Sequence, residues 1–141
     1  MKTSARNQFS GTVVALKEGA VNDEVTLEVV GGVHIVATIT SDSRATLGLA
    51  LGAEAFALVK ASSVIVVTEQ GGARLSARNQ LAGTISRVLP GAVNTEVSID
   101  LPGGGVIAAI VTRDSGEALG LVEGGAALAV FKASSVIIGT P

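Results

Sequence analysis

The stretch GTVVALKEGAVNDEVTLEVVGGVHIVATIT, residues 11–40, decides the fold of this chain. Residues 11–16 and 25–30 are short runs rich in β-branched side chains, a glycine pair at 31–32 suits a tight hairpin turn, and residues 33–40 continue as a third run. Further along, residues 54–60 and 63–68 have the same character. The pattern predicts five short strands within the first 68 residues.

The segment between the third and fourth strands differs from its neighbours, because residues 41–49 lack strand alternation. Asp42 or Ser43, ahead of Arg44, is typical of a helix N-cap, and Gly48 is typical of a helix end. Five strands and one short helix are the elements of a Greek-key barrel of the OB type.

The second half of the chain repeats the first half at a constant offset of 72 residues, and half of the aligned positions carry the same residue. We therefore predict an all-β fold of two tandem OB-like five-stranded Greek-key barrels, each with one short helix. The domains are residues 1–68 and 75–141, joined by a short polar linker at 69–74. Four motifs recur unchanged: SARN (4–7 and 76–79), GAVN (19–22 and 91–94), LGL (47–49 and 119–121) and KASS (60–63 and 132–135).

The composition predicts an oligomer. Hydrophobic residues make up 48% of the chain, but three Phe are the only aromatic residues, so a domain of this size buries little area. The chain has no cysteine, which excludes disulfides and thiolate metal sites as a means of stabilising so small a core. Burial against a partner copy is the remaining remedy.

The same numbers argue against several classes of function. A net charge of −2, thinly spread Lys and Arg, and few aromatic rings do not suit nucleic-acid binding. No run of eighteen apolar residues and no signal peptide occurs, so we expect a soluble cytoplasmic protein without membrane contact. The single histidine, His34, is replaced by Val106 in the second copy, which indicates an ordinary strand residue and not a metal ligand. No nucleophile elbow or P-loop is present, so we expect no enzymatic activity.

The repeated polar motifs predict an anion site. SARN brings a hydroxyl, a guanidinium and an amide ahead of the first strand, and KASS brings an ammonium and two hydroxyls between the last two strands. These groups offer hydrogen-bond donors and positive charge without a carboxylate. The TxDS motif at the start of the short helix, residues 40–43 and 112–115, adds hydroxyls and free N–H groups, with Asp42 assigned to capping. For any one motif alone, a turn, a cap or a solvated side chain is the favoured interpretation, but the repetition of three donor-rich motifs together favours a ligand site. For GAVN the turn-shaping role is at least as good an interpretation as a ligand role.

Together the motifs carry a family resemblance. The opening TSARNQFSGTV, the TxDS motif before LGL, and VKASSVI near the end resemble the Mop domain, over nearly the whole chain. Two such domains in tandem resemble a two-domain molbindin, a cytoplasmic molybdate-binding protein. The resemblance implies non-enzymatic binding, storage and homeostasis of molybdate, or of tungstate, as a tetrahedral oxyanion. It also implies a homotrimer with its sites at interfaces between barrels, and no cofactor other than this ligand.

The resemblance further implies which residues bind. One class of site draws on SARN and KASS of one barrel and on TxDS of a neighbour. In this sequence the residues are Ser4, Arg6, Asn7, Thr40, Ser43, Lys60, Ala61 and Ser62, with the counterparts Ser76, Arg78, Asn79, Thr112, Ser115, Lys132, Ala133 and Ser134. A second class near the threefold axis is placed at the main-chain amides of GAVN, namely Ala20, Val21, Asn22, Ala92, Val93 and Asn94.

The two repeats differ at positions close to these motifs. Leu75 stands in place of Thr3, and Gly116 in place of Arg44, so the two repeats are expected to differ in affinity.

The alternative function is a molybdate-responsive interaction or regulatory module that acts through a partner protein. A regulator would carry a helix-turn-helix ahead of the barrels, whereas the first barrel is expected to begin at residue 3, which favours storage.

Overall fold

The computed structural model describes all 141 residues, which form ten strands and two short helices. The first half contains β1 (Asn7–Lys17), β2 (Asn22–Val29), β3 (His34–Thr40), α1 (Ser41–Leu47), β4 (Glu54–Val59) and β5 (Ile65–Val67). The second half contains β6 (Asn79–Pro90), β7 (Asn94–Asp100), β8 (Val106–Thr112), α2 (Arg113–Ala118), β9 (Ala126–Phe131) and β10 (Ile137–Gly139). Three-residue 3-10 turns occupy Val30–Gly32, Ala61–Ser63 and Ala133–Ser135.

The strands form two five-stranded antiparallel sheets, as predicted, but the sheets do not coincide with the repeats. The first barrel has the order β10-β4-β1-β2-β3, and the second barrel has the order β5-β9-β6-β7-β8. Each barrel therefore combines four strands of one repeat with the last strand of the other repeat. In each, the exchanged strand also lies beside the far strand of the sheet, β10 near β3 and β5 near β8, which curls the sheet toward closure.

One continuous hydrophobic core of 25 buried residues extends through both barrels. Alternate residues of each strand point inward, as Leu27 in β2 and Ile99 in β7 do without any exposed surface. The exchanged strands contribute Val66 and Ile138 to this core. Exchange thus buries part of each small core against the other repeat of the same chain, and the oligomer predicted from the composition stays a separate prediction.

The two β-hairpin turns of the equivalent strands β2–β3 and β7–β8 meet directly. Gly31 and Gly103 both have positive φ, 76° and 86°, a conformation that favours glycine. A Cβ on Gly31 would lie 2.7 Å from the carbonyl oxygen of Pro102 and 2.9 Å from Cα of Gly103. Only glycine at these positions lets the two turns approach this closely.

The helix caps differ from the sequence prediction. The N-cap of α1 is Thr40, whose hydroxyl oxygen accepts a hydrogen bond from the Ser43 N–H at 3.0 Å, so the assignment of the cap to Asp42 or Ser43 is wrong. Asp42 instead lies in the first turn of the helix. The predicted end at Gly48 is confirmed, with φ 63°.

The strand ends next to the repeated motifs also differ. β1 begins at Asn7, four residues before the predicted start, so the last residue of SARN belongs to the strand. The predicted strand at 63–68 is reduced to the three residues of β5, because KASS forms a 3-10 turn before it. Asn7 of SARN and residues 61–63 of KASS therefore lie in regular structure, whereas residues 4–6 of SARN precede β1.

Candidate anion-binding site

SARN and KASS of the first repeat lie around one cavity, which we call the repeat-1 pocket. Since β1 and β4 are antiparallel and Asn7 faces Val59, the residues before β1 and after β4 lie at the same end of the sheet. The cavity has a volume of about 390 Å³. The predicted site residues that line it are Ser4, Arg6, Lys60, Ala61 and Ser62.

An equivalent cavity, the repeat-2 pocket, lies at the corresponding end of the second barrel and has a volume of about 440 Å³. The predicted site residues that line it are Ser76, Arg78, Lys132, Ala133 and Ser134. Each pocket also has a wall from the opposite repeat. This wall consists of Ile110, Ser135 and Ile137 in the repeat-1 pocket, and of Thr38, Ile65 and Val67 in the repeat-2 pocket.

The polar groups in both pockets are hydrogen-bond donors and cations. Each pocket holds one arginine, one lysine and several hydroxyls, and no aspartate or glutamate lines either of them. KASS adds main-chain donors, because the first N–H groups of a 3-10 turn have no partner within the turn. Such a lining favours a fully deprotonated anion, whose oxygens only accept hydrogen bonds.

The two arginines are each paired with a glutamate of the opposite repeat. Nη1 of Arg6 lies 3.1 Å from Oε1 of Glu96, and Nη1 of Arg78 lies 2.6 Å from Oε2 of Glu24. Both guanidinium groups remain more than half exposed. These glutamates were not predicted as part of the site from the sequence, although both repeats have a glutamate at this position.

The SARN asparagines lie outside the pockets, contrary to the expectation that they act as ligands. The Asn7 side chain donates to the carbonyl of Ala108 at 2.8 Å and accepts from its N–H at 2.7 Å, and Asn79 does the same with Val36 at 2.8 Å. Both asparagines are buried. Their amides thus pair with a strand of the opposite repeat and hold the two barrels together.

The TxDS motifs do not reach the SARN and KASS pockets within one chain. Thr40 and Ser43 line a separate depression beside β10, and Ile137 separates it from the repeat-1 pocket. The Thr40 hydroxyl donates to Oγ of Ser43 at 2.8 Å, which leaves the Ser43 hydroxyl hydrogen free for another acceptor. Thr112 and Ser115 repeat this geometry.

The GAVN motifs form the turns between β1 and β2 and between β6 and β7. Val21 and Val93 at their tips are 73% and 74% exposed, so both turns present apolar side chains to solvent. The carbonyls of the same two valines accept hydrogen bonds from the first residues of α1 and α2, at 2.9 Å each. Each turn is therefore fixed to its neighbouring helix.

A buried ionic cluster distinguishes the first repeat. Asp23 in β2 accepts hydrogen bonds from the Gly19 N–H at 3.1 Å, from the Ser41 hydroxyl at 2.8 Å and from Nε of Arg44. Arg44 also contacts Glu18 at 3.1 Å. The second repeat replaces Glu18, Asp23, Ser41 and Arg44 by Pro90, Thr95, Arg113 and Gly116.

These contacts shift two pKa values in the directions that stabilise the charged forms. The hydrogen bond from the Gly19 N–H, followed by those from Ser41 and Arg44, lowers the pKa of Asp23. The hydrogen bond to Asp23 raises the pKa of Arg44. All four residues are replaced together in the second repeat, and this joint replacement could have predicted the cluster from the sequence. Only the change at Arg44 was used in the prediction.

Clusters of metal ligands and membrane-spanning helices are both absent from the structure. No group of three or more His, Cys, Asp or Glu side chains is placed to hold a metal ion. His34 lies 4.0 Å from Glu28 on the exposed face of its hairpin. No helix is long and apolar enough to cross a membrane.

The fold and the two pockets place this chain in a class of proteins that have two tandem β-barrels, with pockets lined by hydrogen-bond donors where the two repeats meet. Both repeats match the TOBE domain model, over residues 3–66 and 75–138. The chain belongs to the TOBE domain family.

Three similar proteins extend this result. A molybdate-bound crystal structure described as the cytoplasmic molybdate-binding protein ModG aligns with a TM-score of 0.97 and 51% identity, and the alignment covers both chains in full. The molybdenum transport protein ModE of Azotobacter vinelandii is 50% identical over 138 residues, which cover 98% of this chain and 51% of that protein. The DNA-binding transcriptional dual regulator ModE of Escherichia coli (strain K12) is 38% identical over 141 residues, which cover 99% and 53%.

The similarity confirms the predicted resemblance to Mop-type proteins and the tandem OB-like fold. The chain spans about half the length of the two ModE proteins. All three names describe binding, transport or regulatory proteins and none describes an enzyme.

Proposed function

We propose that this protein binds molybdate, or tungstate, as a tetrahedral oxyanion, and stores it for molybdenum homeostasis in the cytoplasm without catalysing a reaction. The observation that carries the proposal is the lining of two equivalent pockets by one arginine, one lysine and several hydroxyls, without any carboxylate. Full-length similarity to the molybdate-bound ModG structure, described as cytoplasmic, supports the same ligand and the same compartment.

The lining also predicts which oxyanions the pockets bind and which they reject. Molybdate at neutral pH carries no proton, so donors can satisfy all four of its oxygens, whereas a proton on phosphate would face another donor. Sulfate has the same charge but is smaller, so a pocket fitted to molybdate forms longer and weaker hydrogen bonds with it. Tungstate matches molybdate in both size and charge, and both are expected to bind.

We propose that the complete sites lie between chains of a homotrimer. A water molecule takes about 30 Å³, so a five-atom oxyanion fills at most about 150 Å³, which is less than half of either pocket. A TxDS motif from a neighbouring chain would add donors and reduce this space. The exposed apolar residues Val21, Ile65, Val93 and Ile137 supply surface for such an interface.

In this proposal the ligands in each chain are the SARN serine and arginine, the KASS residues, and the threonine and serine of a neighbour's TxDS. Asn7 and Asn79 act by holding SARN against the opposite repeat. The GAVN amides, from Ala20 to Asn22 and from Ala92 to Asn94, form a second class of site. The two domains at 1–68 and 75–141 serve as repeated halves of one exchanged unit.

The test is isothermal titration calorimetry of the purified protein with molybdate, tungstate, sulfate and phosphate, combined with light scattering to determine the oligomeric state. We expect micromolar or tighter binding of molybdate and tungstate, weak binding of sulfate and none of phosphate. No uptake of molybdate at micromolar concentration would disprove the proposed function. A monomer in both the free and the bound state would disprove the interface sites.

Lys60 provides a direct prediction within this proposal. Lys60→Ala removes one charge-assisted donor, worth about 1.5–3 kcal/mol, and should therefore weaken molybdate binding by roughly tenfold to a hundredfold. Because a ligand that binds only the assembled state stabilises it, the variant should also lose part of the molybdate-induced rise in melting temperature. Lys17→Ala, at the far end of β1, is the control and should bind normally. Normal binding by Lys60→Ala would remove KASS from the site.

A second function has support from one relative. The Escherichia coli ModE regulator matches this chain over 53% of its own length, so a molybdate-responsive module that acts through a partner protein is the alternative. Affinity capture with and without molybdate separates the two functions. A stoichiometric partner gained or lost on addition of molybdate would favour regulation, whereas storage predicts uptake without any such partner.

A further inference from the structure

The inference concerns the two glutamates that contact the SARN arginines. Glu96 lies in β7 directly opposite Ile110, which lines the repeat-1 pocket, and Glu24 lies in β2 opposite Thr38, which lines the repeat-2 pocket. Neither glutamate lines the pocket that contains its arginine. Each carboxylate therefore reaches the guanidinium of Arg6 or Arg78 across the boundary between repeats, from a position on the same face of the sheet and beside the residue that lines the pocket.

These two ion pairs are the only ones that occur at equivalent positions in both repeats. The first-repeat cluster of Asp23 and Arg44 has no counterpart in the second repeat, and the Arg113–Glu117 pair in α2 has none in the first. The His34–Glu28 contact is also lost, because Val106 replaces the histidine. These two pairs are thus retained while every other pair has diverged, and both involve an arginine that lines a pocket.

The geometry assigns two opposing effects to each glutamate. With no anion bound, its carboxylate accepts from one N–H of the guanidinium and compensates the positive charge. When a dianion enters the pocket, the same carboxylate repels it. The carboxylate also occupies one N–H of the guanidinium, so fewer N–H groups are free to donate to the dianion. Charge interactions over about 4–6 Å near a protein surface change a binding constant by roughly tenfold.

We propose that Glu24 and Glu96 are internal counter-anions that occupy Arg78 and Arg6 in the empty protein and lower the affinity of both pockets for oxyanions. This inference rests on the proposed function, since it names the residues that limit affinity at the same sites. A store must release its anion as well as take it up. A carboxylate that replaces the departing oxyanion as partner of the guanidinium makes release less costly.

The test compares the full-length protein with Glu24→Gln, Glu96→Gln and the double variant, by calorimetric titration with molybdate and separately with sulfate. Glutamine keeps the size and an acceptor oxygen but removes the charge. We expect each single variant to tighten its own pocket by roughly tenfold for both anions, and the double variant to tighten both pockets. The molybdate-induced rise in melting temperature should increase, whereas the melting temperature without anion should fall slightly or stay unchanged.

The matched controls are Glu28→Gln and Asp100→Asn. They remove the same charge from the same strands, four residues further on, where neither carboxylate contacts an arginine. Their affinities should equal that of the unaltered protein. If the controls tighten binding as much as the test variants, the effect is one of overall charge and the proposal fails.

The remaining outcomes separate the two proposals. Weaker binding by Glu24→Gln and Glu96→Gln would show that the glutamates orient the arginines for the anion, and unchanged binding would show that they do not influence the pockets. Either result overturns this inference while the proposed function stands. No molybdate binding by the unaltered protein or by any variant would overturn both.

Discussion

At the scale of single residues, the repeated motifs separate into groups that face the pockets and groups that hold the molecule together. Arg6 and Lys60 line the repeat-1 pocket, whereas Asn7, from the same motif as Arg6, is buried against the opposite repeat. A motif that recurs unchanged does not reveal this division, because burial and ligand binding both restrict residue identity. Only the position of β8 beside the start of β1 distinguishes the two roles.

Asn7 gives the first prediction at this scale. Asn7→Ala leaves both the N–H and the carbonyl of Ala108 without a partner in a partly buried setting, at a cost of about 1–3 kcal/mol for each group. Urea denaturation should therefore show a loss of about 2–5 kcal/mol in the free energy of unfolding. Gln8→Ala, at the exposed neighbouring position, should change it by less than about 0.5 kcal/mol. Equal effects of the two substitutions would contradict the assigned role of Asn7.

At the scale of elements, α1 and α2 are attached to their barrels by different means. The Asp23 cluster fixes α1 to the turn between β1 and β2, whereas α2 packs through Gly116 against Thr95 and donates from the Arg113 guanidinium to the carbonyl of Gly91. The first attachment depends on a carboxylate that is protonated in acid, and the second does not. The two ends of the molecule should therefore behave differently in acid.

Asp23 makes this difference measurable. Its pKa in the folded state lies below the ordinary value of 3.8 for an aspartate, so its contribution to stability is present above that value and is lost as the pH falls through the lowered pKa. The free energy of unfolding should therefore drop in the region below about pH 4. Asp23→Asn should be less stable at neutral pH and should show a shallower drop, whereas Asp100→Asn, at an exposed position, should follow the unaltered protein. Parallel pH profiles for Asp23→Asn and the unaltered protein would rule out this role.

The contact between the hairpin turns gives a further prediction at this scale. Gly31 and Gly32 have the same φ of 76°, so an alanine at either position has a similar backbone strain. Only at Gly31 would the new Cβ also collide with Gly103, since the nearest atom to a Cβ at Gly32 is 3.8 Å away. Thermal unfolding should therefore show a larger loss for Gly31→Ala, by more than about 1 kcal/mol. Similar losses for the two variants would indicate that the turns are not in close contact.

Much of the local structure was readable from the sequence, because strand alternation and turn residues act over a few positions. The hairpin at Gly31 and the helix end at Gly48 follow from such signals, whereas the convergence of SARN with KASS was implied by the family resemblance. The pairing of β5 and β10 did not follow. Val67 and Gly139 occupy equivalent positions, but a Cβ at Gly139 would collide with the ring of Phe56 in β4, so Val67 does not fit beside that strand as glycine does. This packing joins residues more than eighty positions apart, so no local pattern reveals it.

At the scale of the whole molecule, the exchange of β5 and β10 makes the two barrels one unit. Each barrel takes one strand and part of its core from the opposite repeat. Each pocket likewise has a wall from the opposite repeat, and buried asparagine contacts run across the boundary in both directions. Neither repeat contains a complete barrel or a complete pocket within its own sequence.

A prediction about fragments follows from this arrangement. A chain of residues 1–74 lacks β10, so its β4 would have an unpaired edge. Light scattering and circular dichroism should find it either unfolded or associated with a second copy that supplies β5 in exchange. Addition of a chain of residues 75–141 should restore the native strand content. A folded monomer of residues 1–74 alone would contradict the exchanged topology.

The exchanged strands also determine the order of events during synthesis. The first barrel cannot close when its own repeat has left the ribosome, because β4 must wait for β10, more than seventy residues later. Until then a nascent chain exposes a sheet edge and an incomplete core, which are the features that favour aggregation. Both barrels should close late and together, only after Gly139 has left the ribosome, and in a single cooperative step.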